Sequence, residues 1–461
     1  MTVYQVNTGV SQQRQKPPCT AQALRCILRG RETVGGSSVS SGCWGEDSNH
    51  EYGWARRTPT YVAPIRFLKR ATKGTKEKPV LESGLSMHRL EISLNQQARK
   101  SEINIAAGIR RNLGQSLPVK PPRRVGIISN ERVFQLYGRE VKRSLKTAGF
   151  TTLEWLMPEG ERYKSFRSLE KAVIFLSENR FERDDLVLAL GGGVVGDLAG
   201  FAAAIYLRGL PLVQVPTTLL SQIDSSVGGK TGINLATGKN LVGAFHQPAS
   251  VFIDTETLVS LPPRELVSGF CEMVKQALMA DKSLFEMTIA CLQKHDFLLS
   301  SEFEEMIAAQ CGFKAWIVAN DERESTSRTD TKSRRVLNFG HTTAHALETI
   351  TNYRYFRHGE AVGYGMLVAG ELSRNLGLID SGTHDSLRDA VRLCGPLPRA
   401  DQLDTNQITG ALKHDKKSVG GQINWVLLEG IGRPKIVEGR LISAKNLRLS
   451  LRAGLRQQEN F

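Results

Sequence analysis

No apolar run in this sequence approaches the roughly 20 residues that a helix needs to cross a bilayer, so no membrane partner is expected. Cysteine is scarce: there are seven in 461 residues, none of them in a Cys-x-x-Cys pair. That argues against a disulfide framework and for free thiols in a reducing compartment, so a cytoplasmic protein is expected. Internal repeats, a secretory signal, zinc fingers, a basic zipper and aromatic RNA-binding motifs are all missing. Acidic residues are the minority, 46 against 61 Lys and Arg, for a net charge of +15. Without a nucleic-acid motif, this excess suits an anionic small molecule better than nucleic acid. What remains is an ordinary globular composition, 40% hydrophobic and 23% charged, with length for two or three domains.

Residues 1–86 differ from the rest. They lack sustained periodicity, carry 13 Lys and Arg against 6 Asp and Glu, and hold the flexible run Gly-Gly-Ser-Ser-Val-Ser-Ser-Gly at 35–42. Three readings compete for them: a mis-called start with Met87 as the first residue, a disordered extension, or a transit peptide. The third rests on the first 31 residues, which carry Arg and no acid. Met87 opens His-Arg-Leu-Glu-Ile-Ser-Leu, a plausible first strand. From there to about Pro262, alternating strands and helices predict an α/β domain with a mainly parallel sheet. Residues 263–461 are expected to form a mostly α-helical domain. The active site is expected in the cleft between them.

Asp185–Leu190 is an apolar run of strand length that passes into Gly191-Gly192-Gly193-Val194-Val195-Gly196-Asp197. A helix is predicted over Leu198–Tyr206. Strand, glycine turn and helix together let backbone N–H groups meet a pyrophosphate. Glycine serves there because a Cβ would block the approach and because some turn positions need φ > 0. The same turn can also exist without a ligand, and strict Rossmann spacing with an acidic residue on the next strand is not evident. A second strand, Leu212–Val215, leads into Pro216-Thr217-Thr218. Asp224-Ser225-Ser226-Val227-Gly228-Gly229-Lys230-Thr231-Gly232 and Gly238-Lys239-Asn240 follow. Hydroxyls, an amide, glycine N–H groups and two lysines suit an anionic ligand bearing hydroxyls. P-loop spacing is absent, which excludes a nucleoside triphosphatase.

Val336 to Glu348 places His341 and His345 at i and i+4, on one helix face, with His358 following in a short loop as His-Gly-Glu. Two imidazoles can enter one pocket and His358 can join them. A catalytic zinc takes three protein ligands and keeps one open position. His pairs at this spacing also occur on helix surfaces and in cores.

Taken together, these motifs resemble the 3-dehydroquinate synthase family of sugar-phosphate cyclases. The resemblance rests on residues 191–197, Tyr-Leu-Arg-Gly at 206–209, Gln-Val-Pro-Thr-Thr-Leu-Leu at 214–220 and residues 224–232. It continues through Gly-Lys-Asn-Leu-Val-Gly-Ala-Phe at 238–245, Glu-Met-Val-Lys at 272–275 and Asp-Glu-Arg-Glu at 321–324. The histidine helix and His-Asp-Lys-Lys at 414–417 complete it, in the family's order from about Met87 onward. The resemblance implies conversion of 3-deoxy-D-arabino-heptulosonate 7-phosphate to 3-dehydroquinate and phosphate in the shikimate pathway. It implies catalytic NAD without net redox change and a divalent metal, Zn or Co, in a homodimer.

Carried over position by position, the resemblance puts the metal on Glu272, His341 and His358, with His345 a proton-moving neighbour instead of a ligand. It puts Lys230, Asn240, Asn338, His345 and Lys416 around the substrate phosphate, with Arg208 reaching across from a second subunit. Asp224, Lys275, Lys314 and Arg334 then face hydroxyls and carboxylate. NAD falls to Gly192, Gly193, Asp197, Thr217, Thr218, Lys239, Glu161 and Lys164. Asn130 falls at the adenosine side, where many family members have Asp. One departure is the polar segment 325–333, longer than the family pattern, which is read as a solvated loop extension. Cys271 beside Glu272 is read as a small buried residue. The competing functions are another sugar-phosphate cyclase making a cyclitol and a metal-dependent polyol dehydrogenase.

Overall fold

The computed structural model describes residues 3–8, 100–294, 297–413 and 423–456. The strands β1 (Val3–Thr8), β2 (Lys100–Ile105), β3 (Arg124–Asn130), β4 (Thr151–Met157), β5 (Leu186–Gly191) and β6 (Leu212–Pro216) come first. A hairpin of β7 (Lys230–Leu235) and β8 (Gly238–Phe245) follows, then β9 (Ser250–Ile253). Outside the hairpin these strands form one parallel sheet in the order β1-β2-β9-β6-β5-β3-β4.

The helices α1 (Arg139–Thr147), α2 (Phe166–Glu178) and α3 (Gly193–Ile205) belong to this half. They explain why β5 reads as a continuous apolar run: it is buried along its whole length, covered on both faces. Its side chains divide with period two. Val187 and Ala189 join the core under α2 and α3, while Leu186, Leu188 and Leu190 join the core with Val141 and Leu145 of α1.

The order in which strands are added reverses at β3. β4 lies on one side of it, while β5, β6 and β9 step away on the other. At such a switch point the carboxyl ends of the strands open a crevice. Those ends are Asn130 of β3 and Gly191 of β5.

α3 begins at Gly193, five residues before the predicted start. Gly192 is its extended N-cap at φ −76°, so the glycines build the first turn of the helix itself. None of Gly191 to Gly193 has positive φ. The need for glycine there is space: a Cβ on Gly192 would stand 2.9 Å from Thr218 Cγ2, and one on Gly193 3.0 Å from Ser225 Oγ.

The second half is mainly helical, as predicted. It holds α4 (Pro263–Ala280), α5 (Lys282–Leu292), α6 (Ser301–Asn320), α7 (His341–Ile350), α8 (His358–Asn375), α9 (Ser381–Leu393), α10 (Thr405–Lys413) and α11 (Ala444–Arg456). A small hairpin, β10 (Asn424–Leu428) and β11 (Pro434–Glu438), lies between the last two helices. α4 starts on Pro263, where the missing N–H costs nothing. α8 is buried from Gly359 to Ser373 and is therefore apolar on nearly every side. A further core joins the halves, packing Ile103, Ile105, Val251 and Ile253 of the sheet against Phe303, Met306 and Ile307 of α6.

β1 is an element that the sequence reading did not assign. It pairs with β2 in register from Val3 opposite Lys100 to Thr8 opposite Ile105. The expected strand after Met87 and the rest of the segment up to it lie outside the described residues. No helix among the described residues is long and apolar enough to cross a membrane.

Candidate active site

Three helices deliver Glu272, His341 and His358 to one point. Glu272 lies within α4, His341 is the first residue of α7, and His358 is the first residue of α8. His358 is thus a helix start where a loop was expected. Close backbone packing fixes both helix starts. Gly359 N–H donates to Ser268 Oγ at 2.9 Å, and Ser268 is one turn before Glu272 on α4. The N-terminus of α8 is further held by Glu360, whose carboxylate accepts from Arg264 at 2.8 and 2.6 Å and from Arg357 N–H at 2.7 Å. Gly340, at φ 76°, lets α7 start against Gly365 and Met366 of α8.

One ligating atom each from Glu272, His341 and His358 lies within 4.8 Å of the others. His341 Nε2 is 3.8 Å and His358 Nε2 3.4 Å from Glu272 Oε1. A tetrahedral ion with bonds of about 2.1 Å keeps its ligands about 3.4 Å apart, so the set fits a divalent ion. Each imidazole is turned by its other nitrogen. His341 Nδ1 is 3.2 Å from the Phe339 carbonyl, and His358 Nδ1 is 3.4 Å from both Glu348 oxygens. Glu272 is fully buried, and neither of its oxygens has a hydrogen-bond partner of good geometry among the described residues. Among the described lysines and arginines, Lys275 stands close to it, with Nζ 2.5 Å from Oε2. Such a carboxylate is costly to bury without a cation. The His345 ring centre stands 5.6 Å from that of His341 and 6.3 Å from that of His358, outside the ligand set. Cys271 faces the core against Gly363 of α8.

The residues read for NAD, namely Asn130, Glu161, Lys164, Gly192, Gly193, Asp197, Thr217, Thr218 and Lys239, line a cleft of about 1380 Å³ at the switch point. The same cleft is lined by Asp224, Lys230, Asn240, Lys275, Lys314, Arg334, Asn338, His341, His345 and His358. Lys164, buried, pairs with Asp197 and donates to Asn240 Oδ1 at 2.5 Å, which joins the glycine turn to the β7–β8 hairpin. The Asn130 side chain accepts from Val133 N–H at 2.9 Å and so caps the helical turn after β3. Arg208 does not line the cleft of its own chain. It is exposed, at φ 68°, after Leu207 at φ 48°. Lys416 lies outside the described residues.

Opposed charges organise the floor. Lys314 pairs with Asp224 and also donates to its backbone carbonyl at 2.5 Å, and Lys275 Nζ lies 4.0 Å from Asp224 Oδ2. Burial and the neighbouring Arg334 outweigh Asp224 and bring the Lys314 ammonium down to about 8. Burial alone would raise the Asp224 carboxyl, but Lys314 and Lys275 hold it below the usual carboxylate range. Lys275 is raised: burial opposes its charge, and Glu272 and Asp224 outweigh it. Arg334 donates to the carbonyls of Gly228 at 2.9 Å and Glu322 at 2.8 Å. Gly228 has φ 102°, and a Cβ there would stand 2.5 Å from Arg334 Nη2, so only glycine admits the guanidinium.

Two site carboxylates were not assigned from the sequence. Glu324 pairs with Lys230 and accepts from Asn338 Nδ2 at 2.8 Å, so it gathers two residues read for the phosphate. Glu348 accepts from Lys239 Nζ at 2.9 Å as well as from His358. Its one sequence signal was its place seven residues after His341, on the face of α7 that carries His341 and His345. The segment 325–333 is largely exposed, and Asp321 closes its base. The Asp321 carboxylate accepts from Ser325 N–H and Arg334 N–H, each at 2.8 Å, and from Ser333 Oγ at 3.3 Å.

Residues 154–268 match the family model described as 3-dehydroquinate synthase N-terminal, and residues 269–418 the one described as 3-dehydroquinate synthase C-terminal. The chain is 41% identical over 345 residues to a 3-dehydroquinate synthase from Nostoc sp., covering 74% of this chain and 93% of that one. It is 40% identical over 357 residues to a 3-dehydroquinate synthase from Thermodesulfovibrio yellowstonii, covering 76% and 96%. A crystal structure of 2-deoxy-scyllo-inosose synthase, complexed with carbaglucose-6-phosphate, NAD+ and Co2+, superposes with a TM-score of 0.68. It is 25% identical and covers 77% of this chain and 96% of that one. By sequence and by fold, the chain belongs to the 3-dehydroquinate synthase family.

Proposed function

We propose that the protein is a 3-dehydroquinate synthase. It converts 3-deoxy-D-arabino-heptulosonate 7-phosphate to 3-dehydroquinate and phosphate, as a phosphate-eliminating carbon–oxygen lyase of the shikimate pathway. The observation that carries this reading is the single cleft. It brings the glycine turn at the sheet's switch point together with His341 and His358, two of the three residues that could hold a metal ion, and a dense set of cations. A plain dehydrogenase has no need of the cations.

Glu272, His341 and His358 would hold the divalent ion, and the glycine turn with Lys164, Thr217, Thr218 and Lys239 would hold NAD. When bound, NAD supplies a reversible hydride acceptor and the ion, zinc or cobalt, a Lewis acid at the substrate hydroxyls. The chain supplies position and charge. Gly192 and Gly193, at the N-cap and first position of α3, would offer backbone N–H groups to a pyrophosphate. Lys230 and Asn338, gathered by Glu324, are placed to take the substrate phosphate and stabilise it as it leaves. Asp224, Lys275, Lys314 and Arg334 suit the hydroxyls and carboxylate. Lys314, cationic below about pH 8, can hold a carboxylate there. His345, beside the two ligand imidazoles, can move the proton released as phosphate departs.

A homodimer is supported by Arg208, which is exposed, lies outside the cleft of its own chain and has the exposed apolar residues Ile205 and Leu207 close by in sequence. The described cysteines, Cys271, Cys291, Cys311 and Cys394, are free and buried thiols, which suits the cytoplasm. The deciding experiment is phosphate release from the heptulosonate phosphate with NAD, with and without a chelator. Chelator-sensitive release that forms 3-dehydroquinate supports the reading. Release from a hexose phosphate instead would replace the substrate.

A further inference from the structure

We infer that Glu348 is a positioning residue that ties metal binding to dinucleotide binding. The inference rests on the proposed metal and NAD sites and adds a link between them.

Glu348 stands on α7, on the face that carries His341 and His345. Its side chain is 2% exposed, yet it touches two elements from different halves of the molecule. One is the start of α8, through His358 Nδ1 at 3.4 Å from each carboxylate oxygen. The other is the β7–β8 hairpin, through Lys239 Nζ at 2.9 Å from Oε1. Lys239 is further fixed by the Tyr353 ring, whose centre is 4.6 Å from Nζ. Both neighbours therefore share one buried carboxylate.

The consequence for the ion is direct. A histidine that offers Nε2 to a metal is oriented by what its Nδ1–H meets, and a carboxylate there raises the basicity of the ring. Without Glu348, the His358 ring keeps its place in the backbone but loses the group that turns Nε2 toward Glu272. The consequence for the dinucleotide follows from the shared oxygen. A metal on Nε2 makes Nδ1–H a stronger donor and fixes the carboxylate. The fixed carboxylate would fix Lys239, which lines the cleft and is among the residues read for NAD. Coupling of this kind is reciprocal, so NAD should tighten the metal by the same factor as the metal tightens NAD.

The test uses the full chain, stripped with a chelator and titrated with Co2+ or Zn2+ by chelator competition, with and without NAD. Wild type should bind the ion more tightly when NAD is present. Glu348→Gln, which keeps the shape and one acceptor oxygen, should raise the metal dissociation constant by about 10- to 100-fold and should remove the NAD dependence. Its metal-free melting temperature should fall by some degrees with the buried charged contact, so loss of the NAD dependence in protein still folded at the titration temperature separates positioning from a general loss of structure. Glu348→Asp should fall between the two, and it serves as the test if the Gln variant does not fold. Metal affinity in the Gln or Asp variant equal to that of wild type, or NAD dependence kept in the Gln variant, overturns the inference while the metal site stands. A wild-type chain that binds neither ion overturns the metal reading itself.

Discussion

A Cβ on Gly359 would stand 1.9 Å from the backbone carbonyl oxygen of Ser268, so α8 can start where it does only if its second residue is glycine. This contact sets His358 over Glu272. Gly359→Ala must push the two helices apart, because the obstacle is backbone and no side chain can move aside. The expected cost is about 1–3 kcal/mol of stability, as for other overpacked interiors. Urea unfolding measures it, and metal affinity should fall with it. A variant as stable as wild type would show that the helices do not meet this closely.

Divalent metal should stabilise the fold through Glu272. An ion that binds only the native state contributes about 2.7 kcal/mol at a hundredfold excess over its dissociation constant. Adding Zn2+ to chelator-stripped protein should therefore raise the melting temperature by several degrees. Glu272→Ala should abolish that increase. A metal-induced shift that persists in this variant would place the ion elsewhere.

Turnover should release phosphate without accumulating NADH, since the hydride is returned within one catalytic cycle. Lys230→Ala should lower kcat/KM for the sugar phosphate by at least about tenfold while leaving NAD affinity nearly unchanged. Loss of one partner of a charged contact commonly costs about 2–5 kcal/mol when it is buried, and Lys230 is more open than that. Absorbance of NADH during turnover and phosphate assays of the variant check the two parts. Stoichiometric NADH would make the enzyme a simple dehydrogenase.

The pH dependence of substrate affinity should carry the mark of Lys314. Its ammonium is brought down from the ordinary lysine value to about 8, so the cation is present below that pH and lost above it. KM for the carboxylate-bearing substrate should rise as pH passes through about 8. Lys314→Arg, which keeps its charge, should extend the low-KM region to higher pH. An unchanged profile in that variant would remove Lys314 from substrate binding.

Some of this was legible in the chain, for physical reasons. β5 announced itself because a strand covered on both faces must be apolar throughout, and the glycines after it because a crowded turn admits little else. The exact start of α3 was hidden, since glycine reads as a break even where it forms the first helical turn. His358 read as a loop residue for a related reason. Its helix is nucleated by docking on Ser268 and by the Glu360–Arg264 contact, neither of which shows in local sequence. Glu348 had only its place on the face of α7 to mark it, and Glu324 was out of reach. Their lysine partners, Lys239 and Lys230, stand 109 and 94 residues away, so the folded chain is needed to show these contacts. β1 is set by backbone pairing across almost a hundred residues and left little trace in its six-residue sequence.

The knot of hydrogen bonds at Asp321 has a practical reach. Because one carboxylate ties down Ser325, Ser333 and Arg334 together, the chain between them is insulated from the guanidinium beyond it. Nothing that happens at the tip needs to be felt at Gly228, where Arg334 is anchored. The segment is therefore a port. A peptide tag, a fluorophore or a few more residues grafted near Thr329 should leave turnover intact.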